Sequence, residues 1–260
     1  MRFVHIRVEK RAPIAVVTLD RPQAMNALNA AMLCELDAVF AALVEDSEVR
    51  VVLVTGAGDR AFAAGADIAE FHQFSAQDAA AFAVRAHETL RRLEMLEKPV
   101  IACVRGYALG GACELALACS FRIAAEDAKF GVSAVRLGMM QTLGGTKRLP
   151  VVVGRGMALK LLLTGETIDA AEALRIGLVE EVVPVAQLME RAEELALAIA
   201  GNAPLAVTET LRSVNEQLEW RADKSTLREA DRFGRLFGTE DKVEGTLAFL
   251  EKRKPVWKGK

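Results

Sequence analysis

An α/β fold is predicted by this sequence, on three observations. Short apolar or alternating runs in the first half have the length and β-branched content of strands. Longer segments between them carry apolar residues at helical spacing. Beyond Val185 the pattern is almost wholly helical. Strands alternating with helices favour a layered α/β architecture. At 260 residues and 52% hydrophobic, the chain can bury the core of one large domain, or of a domain with an appendage.

The elements follow in order. "RFVHIRVE" and "IAVVTLD", separated by "KRAP", read as an early hairpin. "NAAMLCELDAVFAALVED" places Leu33, Leu36, Phe40 and Leu43 on one helical stripe. "VRVVLVTGAG" reads as a buried strand ending in a turn. "SAQDAAAFAVRAHETLRRLEML" reads as a second amphipathic helix with Ser75 as its N-cap. "KPVIACV" and "FRIAA" have the look of further strands. After Gly131, "TKRLPVVVG", "GRGMALKLLLTG" and "TIDAAEALRIGLV" suggest short helices broken by glycine and proline. "APLAVTETLRSVNEQLEW" and "TEDKVEGTLAFLEKRK" are the clearest of the late helices. A boundary near Ala200–Pro204 divides a core over 1–200 from a helical region over 201–260. No fixed-period repeat is evident.

Composition excludes several classes. With 33 basic and 35 acidic residues, the net charge of -2 leaves no electrostatic footprint for nucleic acid. The basic end "EKRKPVWKGK" fits a solvated tail, with contact to a ligand phosphate as the alternative. Cys34, Cys103, Cys113 and Cys119 form no C-x-x-C pair, and three of them lie in apolar runs. The three histidines, His5, His72 and His87, make no metal-binding cluster, so no metal is expected. The N-terminus lacks an apolar signal core, and no stretch approaches the roughly 20 apolar residues of a membrane span. The expectation is a soluble, cytoplasmic protein of a reducing compartment, with neither nucleic acid nor membrane as partner.

Chemistry concentrates in "GYALGGACEL". Gly110 and Gly111 follow a strand and a turn, and a helix starts near Ala112. Unpaired N–H groups at a helix start, aided by the macrodipole, suit a negative oxygen. Glycine lets a substrate approach that backbone with no side chain in the way. Glu114 then falls on the first helical turn, close enough to act on the same bound group. A tight packing turn with Glu114 as a buried structural ion fits the spacing equally well. A carboxylate entering an apolar helix is costly unless it is paired or used.

Other glycine-rich readings fail. "GYALGG" is not the dinucleotide pattern G-x-G-x-x-G, and "GMMQTLGGTK" lacks the Gly-Lys-Ser/Thr of a phosphate loop. "DRAFAAGADIAEF" follows the strand "VVLVTG" and sets Gly65 among small residues. Its loop can offer a second backbone N–H, from Ala66. Two donors converging on one oxygen make an oxyanion hole. Taken alone, that stretch is also what an ordinary strand-to-helix loop looks like.

Together these stretches carry a family resemblance. "AFAAGADI", "KPVIACVRGYALGGACELALACSFRIAAEDAKFG", "GGTKRLPVVVGRGMALKLLLTG" and "AAEALRIGLVEEVVP" resemble the enoyl-CoA hydratase/isomerase, or crotonase, superfamily. "RPQAMNALN" and "FLEKRKPVWKGK" fit too, so the resemblance spans essentially the whole chain. It implies a crotonase-like spiral of ββα units with a helical C-terminal trimerisation region, in a homotrimer or a dimer of trimers. It implies an acyl-CoA thioester as substrate, with coenzyme A part of that substrate and no separate cofactor. By motif matching, Ala66 and Gly111 supply the two oxyanion-hole amides, and Glu114 matches the first catalytic glutamate. Met25, Ala66, Asp67, Ile68, Ala69 and Gly111 fall on CoA-contacting stretches.

The pattern breaks in one place. Two-glutamate hydratases of this family carry a second carboxylate in a segment resembling "FGQPEVxLG"; here the segment is "FGVSAVRLG", and Ala134 stands at that position. The next turn, commonly "IPGAGGTQRL", is "MMQTLGGTKRL", placing Gln141, Thr142 and Leu143 by the expected acyl pocket. Adding water to a conjugated thioester needs a positioned water, a base for it and an acid for the α-carbon. A positioned acid or base contributes about 10²–10⁴-fold. Gln141, Thr142 or Ser133 could hold the water, though amides and hydroxyls are poor bases at neutral pH. Hydration with Glu114 as principal acid/base is the leading expectation. Double-bond isomerisation by Glu114 alone, decarboxylation or thioester hydrolysis, and a catalytically silent CoA-ester binder are the alternatives.

Four further residues carry plainer expectations. Asp67 caps a helix. His72 sits on a helix face. Arg136 forms an ion pair or a subunit contact, and Tyr107 packs near the glycine turn.

Overall fold

The computed structural model describes residues 3–219 and 223–260. The chain runs β1 (Ile6–Arg11), β2 (Ile14–Leu19), α1 (Ala30–Glu45), β3 (Val51–Gly56), β4 (Ala61–Ala63), α2 (Ile68–Gln73) and α3 (Ala76–Glu94). It continues through β5 (Val100–Val104), β6 (Tyr107–Leu109), α4 (Gly111–Ala118), β7 (Phe121–Ala125), β8 (Lys129–Gly131), α5 (Gly145–Val153) and α6 (Arg155–Thr164). The last elements are β9 (Thr167–Asp169), α7 (Ala170–Arg175), β10 (Glu181–Val183), α8 (Leu188–Ala200), α9 (Pro204–Glu219), α10 (Asp223–Leu236) and α11 (Glu240–Leu250).

Two sheets are wound together. One has the order β1-β2-β3-β5-β7-β10, the other β4-β6-β8-β9. β3–β4, β5–β6 and β7–β8 each give one strand to each sheet before the chain turns into helix. This is a spiral of ββα units. Neighbours are parallel except β1 with β2 and β8 with β9. A parallel sheet covered on both faces needs near-continuous apolar strands, and period-two alternation sorts their side chains. Val17, Val52, Val54, Ala102 and Val104 join the main core with α1, α3 and α4. Val16, Val51, Leu53, Ile101, Cys103 and Ile123 face Leu188, Ala192, Ala196 and Ala200 of α8 on the other side.

The helices end where local chemistry dictates. Asn29 accepts from Met32 N to cap α1, and Leu33, Leu36, Phe40 and Leu43 are all buried. Ser75 and Asp78 form a reciprocal capping box at α3. The late helices return onto the early ones. Phe233 and Phe237, on or just after α10, enter a ring cluster with Phe71, Phe74 and Phe82. Lys242 of α11, only 2% exposed, donates to the carbonyls of His72 (3.2 Å) and Phe74 (3.4 Å) and lies over the Phe237 ring. A cation on the last carbonyls of a helix is favourable, so α11 braces α2.

Several sequence expectations need correcting. The first strand begins at Ile6, because Val4 and His5 donate their amides to the Glu35 carboxylate on α1. Thr167–Asp169 is strand β9 rather than helix, pairing with β8, while Asp169 caps α7 by accepting from Glu172 N. Tyr107 is 43% exposed on β6 instead of packed. Arg136 donates Nε to the Thr164 carbonyl at 3.1 Å and forms no ion pair among the described residues, which leaves only the subunit contact of its two expected roles. Arg2 and Trp220, at the ends of two expected elements, lie outside the described residues.

Candidate active site

Helix α4 carries the candidate carboxylate. Gly110, at φ 49° and ψ -123°, turns the end of β6 into the helix, a conformation that disfavours other residues. Its amide still continues the sheet, donating to Gly131 O at 2.7 Å. All eight residues of α4 are buried, and Glu114, on its first turn, is 2% exposed.

Glu114 is gripped by a second glycine turn. Its Oε1 accepts from the amides of Leu143 (3.0 Å) and Gly145 (2.6 Å). Charge-assisted bonds of this kind hold a buried carboxylate in one orientation. A Cβ on Gly145 would lie 2.8 Å from that oxygen, so only glycine lets the backbone come this close. Arg148 steadies the turn, donating Nη1 to Leu143 O at 2.5 Å while its guanidinium pairs with Glu94 at 2.6 and 2.8 Å. Beside Glu114, burial pushes the Cys113 thiol up to about 12.

The Ala66 loop reaches the start of α4. Leu28 N donates to Gly65 O (2.7 Å) and Asp67 N to Leu28 O (2.9 Å), a parallel bridge that turns the Ala66 amide away from Leu28. Gly65, at φ 98°, packs so tightly that a Cβ there would meet Leu109 O at 2.8 Å and Gly110 Cα at 3.7 Å. Ala66 and Gly111 each follow one of these touching glycines. Neither amide donates to a protein group among the described residues. Gly111 is less crowded than Gly65: a Cβ there would make only ordinary contact with Leu143 and Leu28, from 3.4 Å outwards.

The remaining expected residues fall around this centre. Asp67 occupies the N-cap position of α2 but makes no capping bond, because its carboxylate pairs with Arg21 at 3.1 Å. Ile68 and Ala69 open α2, half-buried and exposed respectively. Met25, in the left-handed region at φ 49°, stands with its sulfur 3.6 Å from Arg60 Nη2. His72 lies on α2 and shares a 2.9 Å hydrogen bond with Thr246. Ala134 sits half-buried in a 3-10 turn over Ala134–Leu137, against the main core. Gln141 is buried and donates Nε2 to Val132 O at 2.9 Å. Thr142 is also buried, and its Oγ1 meets no hydrogen-bonding group among the described residues. An unmatched buried hydroxyl costs about 1–3 kcal/mol.

Sequence reasoning missed the fixtures. Asn26, 1% exposed, donates Nδ2 to Ala57 O and Ala61 O at 2.9 Å each and accepts from Arg21 N, pinning the loop that reaches Ala66. The Gly144-Gly145 pair was a usable signal for the grip on Glu114. Nothing local marks Asn26 or Arg148. A groove of about 640 Å³ between α1 and α3 includes none of Glu114, Ala66 and Gly111 in its lining. Among the described residues, no group of three or more His, Cys, Asp or Glu could hold a metal ion, and no helix is long and apolar enough to cross a membrane.

The chain is an α/β protein, a ββα spiral, and its clamped carboxylate and two amides without acceptors among the described residues make an arrangement able to polarise a carbonyl. Its relatives narrow the class. The model of the enoyl-CoA hydratase/isomerase family matches residues 9–260, and the chain belongs to that family. It is 45% identical to the short-chain-enoyl-CoA hydratase of Clostridium acetobutylicum, over 98% of this chain and 97% of the relative. It is 46% identical to the crotonyl-CoA hydratase of Syntrophomonas wolfei, over 98% of each. The solved enoyl-CoA hydratase of Mycobacterium avium subsp. paratuberculosis superposes with a TM-score of 0.90 at 28% identity, over 99% of this chain and 100% of that one.

Proposed function

We propose that this protein is an enoyl-CoA hydratase acting on short-chain enoyl thioesters. One observation carries the reading: Glu114, on the helical turn that begins at Gly111, is held by the amides of Leu143 and Gly145. The Ala66 and Gly111 amides bind the thioester oxygen and stabilise the enolate charge that develops there. Glu114 moves the proton between the adding water and the α-carbon. Met25, Asp67, Ile68 and Ala69 line the approach of the CoA portion. Leu143 and Leu28, beside Gly111, form a wall that suits a short acyl chain, in keeping with the names of the relatives.

Coenzyme A enters as part of the substrate, and no separate cofactor is used. Residues 1–200 form the catalytic core, and 201–260 contribute to a trimer or a pair of trimers. Supporting this, Leu197 of α8 and Leu205 and Val214 of α9 expose 54–79% of their surface. The four free cysteines suit the cytoplasm.

The test is conversion of crotonyl-CoA by the purified protein, followed by loss of the conjugated-thioester absorbance and mass analysis of the product. Addition of one water is expected. Ala134 favours one second reading, double-bond isomerisation by Glu114 alone. Migration of a β,γ double bond without any water addition would select it.

A further inference from the structure

We propose that the Thr142 hydroxyl holds the water that adds to the substrate, resting on the hydratase reading above. Segment 139–145 runs between Glu114 and the position of Ala134. At one end, the amides of Leu143 and Gly145 bond Glu114. At the other, Met139 N donates to Ala134 O (3.1 Å) and Gln141 Nε2 to Val132 O (2.9 Å). Thr142 lies between these anchors. Leu143 N is 3.0 Å from Glu114 Oε1. Standard covalent geometry therefore keeps the Thr142 hydroxyl within about 8 Å of that oxygen.

Among Ser133, Gln141 and Thr142, Thr142 alone combines burial with a polar atom that meets no partner among the described residues; Ser133 is only half-buried. It is 4% exposed, and its Oγ1 meets no protein partner among the described residues. Gln141 has committed its amide to Val132. Ala134 offers a methyl group. A valine would fill the Thr142 site with nearly the same shape and leave nothing unmatched, so the hydroxyl points to a bound group. Threonine both donates and accepts but is no base at neutral pH. It orients the water, and the proton goes elsewhere.

The step balances with one carboxylate. The water oxygen bonds to the β-carbon while the double-bond electrons move onto the thioester oxygen. One water proton passes to Glu114. Glu114 then returns a proton to the α-carbon as the enolate electrons fold back, leaving the hydroxyacyl thioester. Nothing is oxidised or reduced.

Thr142→Val, Thr142→Ser and the unaltered protein separate this role from a structural one. Two reactions are followed: hydration of crotonyl-CoA, and α-proton exchange of butyryl-CoA in deuterated water, which needs Glu114 and the amides but no adding water. Thr142→Val should lose about 10²-fold in hydration kcat with KM little changed. Its exchange rate and thermal midpoint should match the unaltered protein or exceed it. Thr142→Ser should restore most of the hydration. Equal hydration by Thr142→Val, or parallel loss of hydration and exchange, overturns the proposal. Exchange without hydration in the unaltered protein would instead overturn the hydratase reading, and the Thr142 role with it.

Discussion

Two glycine pairs flank Glu114, and they do opposite work. At Gly110-Gly111 the backbone opens: the Gly111 amide has no acceptor among the described residues, and a Cβ there would find ordinary contacts. At Gly144-Gly145 the backbone closes: the Gly145 amide sits 2.6 Å from the carboxylate, where a Cβ would collide with it. Under the proposed function, one pair keeps room for the thioester and the other fixes the acid that acts on it. Glycine in a sequence therefore says that something comes close, without saying whether it is substrate or protein.

The largest test removes what both pairs surround. Glu114→Gln keeps the size of the side chain and removes its proton chemistry. Turnover of crotonyl-CoA should fall by about 10³-fold or more while CoA-ester binding, read by calorimetry, persists. Unchanged turnover would leave both turns without a catalytic purpose.

Next comes the closed pair. Gly145→Ala sets a methyl 2.8 Å from Oε1 and 3.0 Å from Cγ of Glu114. Its kcat should drop about 10²-fold, and unfolding should cost about 1–3 kcal/mol less than in the unaltered protein. Both are measurable from steady-state rates and denaturant melts.

The open pair should respond differently. Gly111→Ala leaves the fold within about 1 kcal/mol, because its methyl finds space between Leu143 and Leu28. It narrows the approach to the amide, so kcat/KM should fall about tenfold. If Gly111→Ala destabilised the protein as much as Gly145→Ala, the contrast between the two turns would collapse.

The smallest effect lies beside Glu114. Burial raises the Cys113 thiol from its ordinary 9.0 to about 12, and the Cys119 thiol likewise. The folded chain keeps these protons at a pH where the unfolded chain has released them. Raising pH through the window from about 9 to about 12 therefore favours unfolding, and the thermal midpoint should slide down across it. In native protein near pH 8, a thiol reagent should titrate the exposed Cys34 and spare Cys103, Cys113 and Cys119. Rapid reaction of Cys113 would show α4 to be looser than drawn.

What the sequence made legible was local. The stripe through Leu33, Leu36, Phe40 and Leu43, the Ser75 cap and the glycine turn ahead of Glu114 are short-range patterns, and all three appear in the fold. The ββα unit came from the family resemblance and not from any sequence period, because its inserts are unequal: 64–99 separates β4 from β5, but only 110–120 separates β6 from β7. Asp67 misled because a capping residue with a guanidinium in reach makes the stronger pair with Arg21. Asn26, Arg148 and the amides that clamp Glu114 act across 29 to 54 positions of sequence. No periodicity reports such distances.

Lys242, on the late helix α11, is tied to the much earlier helix α2. During synthesis, α2 and the loop before it emerge early, yet their last carbonyls receive their ammonium only after residue 242 has been made. Completion of that segment thus waits for a residue made 170 positions later, and a product interrupted before it would carry Glu114 with α2 still unbraced.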